Sequence, residues 1–289
     1  MTFVSCSIPE QFVNPLFEVF DGGDFALSSY RDVEEPLTQM RIYLADPSGA
    51  GEATRRLRDA MGAVGVDAPV SLGELPDEDW RFSYRRHFKT EAIGRRLVVV
   101  PEWELSDWKG DGSSPPRETI VMDPGLAFGT GRHETTKACL EFIDELSGEL
   151  RGASFLDMGC GSGILSIAAA KLGFSPVRGF DVDREAVAVA AENAARNGAD
   201  ATFDHFALGR GQTPPGGAVR YDVVAANILG PLLIRFADEV SAAVGGRLIA
   251  SGILSELYPD VAAAYAARGL REVSRRTLGE WTTGLFARG

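Results

Sequence analysis

The feature that most restricts the fold is a strand that passes through alternating glycines into a helix: Ser154-Phe155-Leu156-Asp157-Met158-Gly159-Cys160-Gly161-Ser162-Gly163-Ile164. The apolar residues before Asp157 read as a strand, and those from Ile164 as a buried helix. The glycines between them let the backbone turn sharply and come close to a ligand, while the helix N-terminus stays free to meet it. The rest of the chain keeps the same rhythm. Strands are predicted over 154–158, 177–182, 201–206, 221–226 and 247–251, and helices over 133–146, 164–172, 184–197, 231–243 and 255–268. That alternation implies a parallel α/β sheet, doubly wound, with right-handed crossovers and helices on both faces. Residues 270–278 and 281–287 read as two strands joined around Gly279, so the last strand is expected to run antiparallel.

A glycine-rich turn alone says little, since such turns also join strands to helices where nothing binds. Its context says more. Asp181 ends the next predicted strand, about twenty residues on, where a carboxylate can accept both hydroxyl protons of a ribose. The dinucleotide fingerprint places its third glycine three positions after the second, and neither Ile164 nor Ser166 supplies it. The order acid-x-Gly-x-Gly-x-Gly suits a cofactor without a pyrophosphate. Asp157 would repel a diphosphate and attract a cationic amino acid end, which favours S-adenosylmethionine over a nicotinamide dinucleotide. A mostly parallel sheet closed by an antiparallel hairpin is the class I methyltransferase arrangement. Asp157, Gly159, Gly161, Gly163 and Asp181 are therefore the expected cofactor residues.

The first 74 residues read as a separate α+β unit. Strand, helix, strand, strand and helix follow one another at 3–8, 9–20, 25–30, 38–45 and 48–65, with a closing strand near 70–72 and a turn at 21–24. That is the order of a ferredoxin-like split βαβ sandwich. It carries no chemical motif, so binding or oligomerisation is the expected role of residues 1–74. Residues 75–92 are charged and aromatic and read as a linker helix, leaving 93–289 as the catalytic domain. Ile93 to Val100 is predicted to be one strand, and Lys109 to Arg117 a surface loop.

The net charge of -12 and a pI near 4.8 argue against a duplex nucleic acid partner. The basic clusters Arg55-Arg56-Arg58 and Arg81-Arg85-Arg86-Lys89 sit among acids and read as solvated helix faces. Cys6, Cys139 and Cys160 are too far apart for a disulfide framework and lack paired metal-ligand spacing. The longest apolar run, 223–237, is broken by Asn227, Pro231 and Arg235, so no bilayer span is expected. The N-terminus has no basic-then-apolar leader. A cytoplasmic monomer without a metal is the expectation.

Across Val121-Met122-Asp123-Pro124-Gly125-Leu126-Ala127-Phe128-Gly129-Thr130-Gly131-Arg132-His133-Glu134-Thr135-Thr136, the glycine turn and Ala226-Asn227-Ile228-Leu229, the chain resembles the ribosomal protein L11 methyltransferase family. The likeness extends through Leu75-Pro76-Asp77-Glu78-Asp79-Trp80 and Ile93-Gly94-Arg95-Arg96-Leu97 to the C-terminus, and departs at Arg132 and Glu134, where the family pattern has Thr and Pro. It implies methylation of lysine side chains and an N-terminal amine of a large-subunit ribosomal protein, L11. It also implies cofactor contacts at Thr136, Gly159, Asp181 and Asn227, with Phe128 and His133 in the loop that covers the cofactor.

Transfer of a methyl group to nitrogen needs alignment and an unprotonated amine. Asn227, with the carbonyls beside it, is placed to accept amine hydrogen bonds, or else to cap the helix before Pro231. His133 can act as a base or as a helix cap, and Phe128 can pack against the amine or fill its loop. Three alternatives stay open from the residues alone. These are another protein lysine or small amine as substrate, a non-catalytic cofactor-binding module, and a nicotinamide oxidoreductase.

Overall fold

The computed structural model describes residues 2–20, 25–30, 37–44, 46–74, 89–122, 133–209 and 220–289. The chain divides into two compact units, Met1–His87 and Phe88–Gly289. The predicted turn at 21–24 and most of the predicted linker helix, 75–88, lie outside the described residues.

The smaller unit comprises β1 (Thr2–Pro9), α1 (Val13–Val19), β2 (Leu27–Tyr30), β3 (Leu37–Leu44), α2 (Ala50–Ala63) and β4 (Ser71–Glu74). Its sheet has the order β2-β3-β1-β4 with every pair antiparallel, the expected ferredoxin-like sequence of elements. The period of two is visible in β1 and β3. Val4, Cys6 and Ile8 share a buried face with Met40, Ile42 and Leu44, and Leu16, Leu57 and Met61 complete that core. On the outer side of α2, Arg55 and Arg56 reach Glu52 at 2.6 and 2.8 Å, as expected of a solvated face.

The larger unit opens with a three-stranded sheet that the sequence pattern does not reveal. The strand expected over 93–100 is in fact two, β5 (Glu91–Ile93) and β6 (Leu97–Pro101), antiparallel to each other. Gly94, at φ 57, turns the chain between them. The buried Asp144 carboxylate fixes that turn by accepting from Arg95 N at 2.8 Å and Arg96 Nε at 2.9 Å. The end of the predicted linker helix is corrected too, since residues 91–92 are strand. A third strand, β7 (Glu118–Met122), lies parallel to β6 and was not expected. It is held by Asn197, which accepts from Val121 N at 2.7 Å and donates to Val121 O at 2.8 Å.

The main sheet contains β8 (Phe155–Met158), β9 (Val177–Asp181), β10 (Thr202–His205), β11 (Tyr221–Asn227), β12 (Val244–Leu254), β13 (Leu270–Leu278) and β14 (Trp281–Arg288). Their order is β10-β9-β8-β11-β12-β14-β13, with β14 antiparallel to both of its neighbours. Helices α3 (Glu134–Ser147), α4 (Ile164–Lys171), α5 (Arg184–Arg196), α6 (Gly230–Arg235), α7 (Ala237–Ala243) and α8 (Tyr258–Ala266) pack around it over two apolar cores. This is the doubly wound arrangement of a class I methyltransferase.

Two helix boundaries differ from expectation. The helix predicted over 231–243 breaks at Phe236 into α6 and α7. The one predicted from 255 starts at Tyr258 instead, because Ser255 N is committed to Glu280 O, 2.8 Å away in the terminal hairpin. No described helix is long and apolar enough to cross a membrane. Strand β8 lies between β9 and β11, so the winding reverses there and leaves a crevice at the carboxyl ends of the strands.

Candidate active site

The crevice is a cavity of about 660 Å³, within the range of small-molecule sites. It is lined from both directions along the sheet edge. On one side of β8 stand Phe180, Asp181, Val182, Phe206 and Leu208; toward the other stand Asn227, Ile228, Gly252, His133 and Trp281. Gly159 and Gly161 form its floor.

The glycine turn follows from backbone constraints. Gly159 has φ 73, and a Cβ there would lie 2.5 Å from Ile228 Cγ2. Gly163 has φ 80 as N-cap of α4, and a Cβ would sit 2.9 Å from Ala190 Cβ. Gly163 therefore serves the packing of α4 against α5 and is not itself part of the cavity wall. Cys160 is buried within the turn, and burial raises its thiol far out of the reactive range.

Asp181 ends β9 at the rim. Its Oδ2 accepts from Gly161 N at 3.0 Å and its Oδ1 from Asp183 N at 3.0 Å, which fixes the carboxylate beside the turn. Asp157 stands elsewhere than its spacing suggests. It is 1% exposed, lies behind the wall, and accepts from Ser166 N at 3.1 Å and Ser166 Oγ at 2.8 Å through Oδ2. Its Oδ1 has no hydrogen-bond partner among the described residues. Burial, reinforced by the charge of Asp181 and opposed by the Ser166 bonds, pushes its pKa up to about 7.

On the far side, Asn227 is the last residue of β11, and its Nδ2 donates to the buried Thr136 Oγ1 at 3.4 Å. It does not cap the next helix. Leu229 holds the N-cap position of α6, with no side-chain cap bond. Thr136 therefore supports Asn227 from behind and is absent from the cavity wall. His133 is the N-cap of α3: its Nδ1 accepts from Thr135 N at 3.4 Å and lies 2.8 Å from Thr135 Oγ1. The same ring lines the cavity and meets Trp281 edge-on, with centroids 5.1 Å apart. Glu134, where the family pattern has Pro, occupies the first turn of α3, a favourable place for an acid. Phe128 lies outside the described residues.

Sequence reasoning missed the apolar half of the crevice and the indole at its opposite end. Phe206 ends a predicted strand and Leu208 follows it, so both could have been found from the rule that ligands meet strand carboxyl ends. Trp281 begins a strand, so only the antiparallel course of β14 brings it to this edge.

These residues fit a nucleoside cofactor with a cationic end. An apolar slot suits a base, and the rim carboxylate beside it suits a ribose. Behind the wall the Asp157 carboxyl, with Oδ1 unpartnered, offers negative potential when ionised, and no lysine or arginine for a phosphate stands among the described lining residues.

Comparison with known proteins agrees. The family model described as "Ribosomal protein L11 methyltransferase (PrmA)" matches residues 28–288. A protein of that name from Geobacter sulfurreducens is 42% identical over 254 residues, covering 87% of this chain and 76% of its own length. One from Herpetosiphon aurantiacus is 36% identical over 275 residues, covering 86% and 82% respectively. The crystal structure of a ribosomal protein L11 methylase from Lactobacillus delbrueckii subsp. bulgaricus superposes with TM-score 0.60 at 30% identity, over 70% of this chain and 99% of that one. With matches of this extent over a crevice of this kind, the chain belongs to the ribosomal protein L11 methyltransferase family, a family of S-adenosylmethionine-dependent protein methyltransferases.

Proposed function

We propose that this protein methylates amino groups of ribosomal protein L11, on lysine side chains, the N-terminus or both. The observation that carries the reading is the pairing, in one crevice, of a ribose-type carboxylate at Asp181 with the supported amide of Asn227 on the other side of the glycine turn.

S-adenosylmethionine supplies an electrophilic methyl group carried on a sulfonium. The protein's residues do the rest. Asp181 accepts from the ribose hydroxyls, and Gly159 and Gly161 bring bare backbone against the ligand. The unpartnered Oδ1 of Asp157 supplies negative potential for the cationic amino acid end. Asn227 and the carbonyls that follow it accept hydrogen bonds from the incoming amine and orient its lone pair, while Thr136 keeps the Asn227 side chain in place.

A lysine amine is only about 0.1% neutral near pH 7.4, equivalent to roughly 4 kcal/mol, whereas an α-amine needs far less help. The apolar wall from Ile228 and Leu229 beside those acceptors lowers that cost by disfavouring the ammonium form. His133 acts as cap and wall. Residues 1–74 recognise the substrate, and 75–92 connect them to the catalytic domain. The protein works as a monomer in the cytoplasm without contacting nucleic acid directly, in keeping with its charge of -12.

The test is transfer from isotope-labelled S-adenosylmethionine to purified L11, with the product mapped by mass spectrometry. Methyl groups on L11 amines are expected. Transfer to a different protein of a cell extract, with L11 unmodified, would overturn the choice of acceptor.

A further inference from the structure

We propose that Trp281 is the wall of the acceptor end, holding the amine and its methylated products against the face of the indole. The proposal rests on the amine methyltransferase reading and says where the amine sits.

Topology places it there. Strands β9, β8, β11, β12 and β14 are consecutive neighbours, and adjacent strands are about 4.8 Å apart. Asp181 on β9 is therefore four spacings, about 19 Å, from the backbone of β14, and Asn227 on β11 stands midway. A donor whose ribose meets Asp181 and whose reactive end points toward Asn227 stops short of β14. The remaining two spacings, about 10 Å, are spanned by an incoming amine on one side and a side chain reaching back from β14 on the other. Because β14 is antiparallel, its first residue lies at the carboxyl edge of the parallel strands: Trp281 pairs with Leu254 near the end of β12. Among the described residues, it is the one lining residue contributed by the terminal hairpin.

The indole is also held in place. Glu280 O, just before it, accepts from Ser255 N at 2.8 Å and Ser255 Oγ at 3.0 Å. Thr282, just after it, is buried, with its Oγ1 2.8 Å from Ser255 Oγ and 2.9 Å from Thr277 Oγ1. The His133 ring packs on the indole at 66°. Hydrogen bonds thus anchor both flanking residues, so the wall is preorganised. No lysine or arginine stands among the described lining residues to repel an ammonium. An aromatic face attracts such a cation and holds methylated ammonium well, since methylation removes hydrogen-bond donors and spreads the charge over apolar groups. A wall of this kind retains a partly methylated ammonium while it gives up a proton to solvent and S-adenosylhomocysteine is exchanged for fresh S-adenosylmethionine, after which its lone pair takes the next methyl group.

The test uses the whole protein with S-adenosylhomocysteine bound. Nα-acetyl-trimethyllysine amide is titrated by NMR against its uncharged tert-butyl carbon isostere. The wild type is expected to prefer the cation by about three- to tenfold. Trp281→Phe should keep part of that preference, and Trp281→Leu should lose it, while affinity for S-adenosylhomocysteine stays within about twofold in both. In turnover with a protein acceptor, Trp281→Leu should raise KM more than it lowers kcat and shift products toward fewer methyl groups. Equal binding of cation and isostere by the wild type overturns the proposal, as does loss of S-adenosylhomocysteine affinity in a folded Trp281→Phe. Because the probes report on the ammonium site without transfer, failure to methylate L11 would count against the choice of substrate and not against this wall.

Discussion

Asp157 gives the most quantitative prediction, because burial sets its protonation against the needs of a cationic ligand. Its folded pKa is about 7 against an ordinary value of 3.8. Since the folded value is the higher one, the folded protein binds the proton more tightly than the unfolded chain between those limits. Stability from this group is fully present below pH 3.8 and is lost as pH rises through 7. Integrated between pH 5 and 8, the loss is about 2–3 kcal/mol. Asp157→Asn keeps an acceptor for Ser166 and removes the titration. In urea unfolding of donor-free protein, the difference in stability, wild type minus variant, should therefore fall by about 2–3 kcal/mol from pH 5 to pH 8. Tryptophan emission is a suitable signal, since Trp103, Trp108 and Trp281 belong to the larger unit. Donor binding should show the converse. If the bound cation requires the ionised carboxylate, wild-type affinity for S-adenosylmethionine should rise about tenfold between pH 6 and 8, and the variant should be flat. Parallel stability curves for the two proteins would refute the buried-proton argument. A flat wild-type binding profile would separate Asp157 from the donor and leave it as an anchor for Ser166.

Asp181→Ala should weaken S-adenosylmethionine binding about 10- to 100-fold by removing charge-assisted hydrogen bonds to the ribose, with the unfolding midpoint little changed; calorimetry giving an unaltered Kd would contradict the assignment. Gly163→Ala places a Cβ at φ 80 and 2.9 Å from Ala190, so a loss of at least about 1–2 kcal/mol and a Tm lower by several degrees are expected from differential scanning calorimetry. His133→Asn preserves a good N-cap, so activity within a few-fold of wild type is expected; a fall of about 10²- to 10⁴-fold in kcat with intact donor binding would make the imidazole a base.

Which parts of this molecule can be read from the sequence follows from the range of the forces involved. The glycine turn, the carboxylate at the end of β9 and the strand-helix alternation are local facts. Backbone sterics and hydrophobic periodicity act over a few residues, so Gly159, Gly163 and Asp181 could be placed from their neighbours in the chain. Asn227 could be located at the end of its strand, though not its support from Thr136, 91 positions away. The β5–β6 hairpin was hidden for the same reason. Its turn is fixed by Asp144, nearly fifty positions on, while the local pattern Ile-Gly-Arg-Arg-Leu resembles an interrupted strand.

The sequence by itself determined the order of elements in the smaller unit and along the main sheet, the doubly wound class, the family and the side of the sheet on which a ligand binds. Tertiary structure decided the rest. It drew Asp157 behind the wall and left one of its oxygens without a partner. It also turned Asn227 toward Thr136 instead of the helix that follows, and brought Trp281 across the sheet edge through a single antiparallel strand. Those outcomes depend on which distant groups compete for the same buried space and the same hydrogen bonds, and only the packed chain resolves that competition.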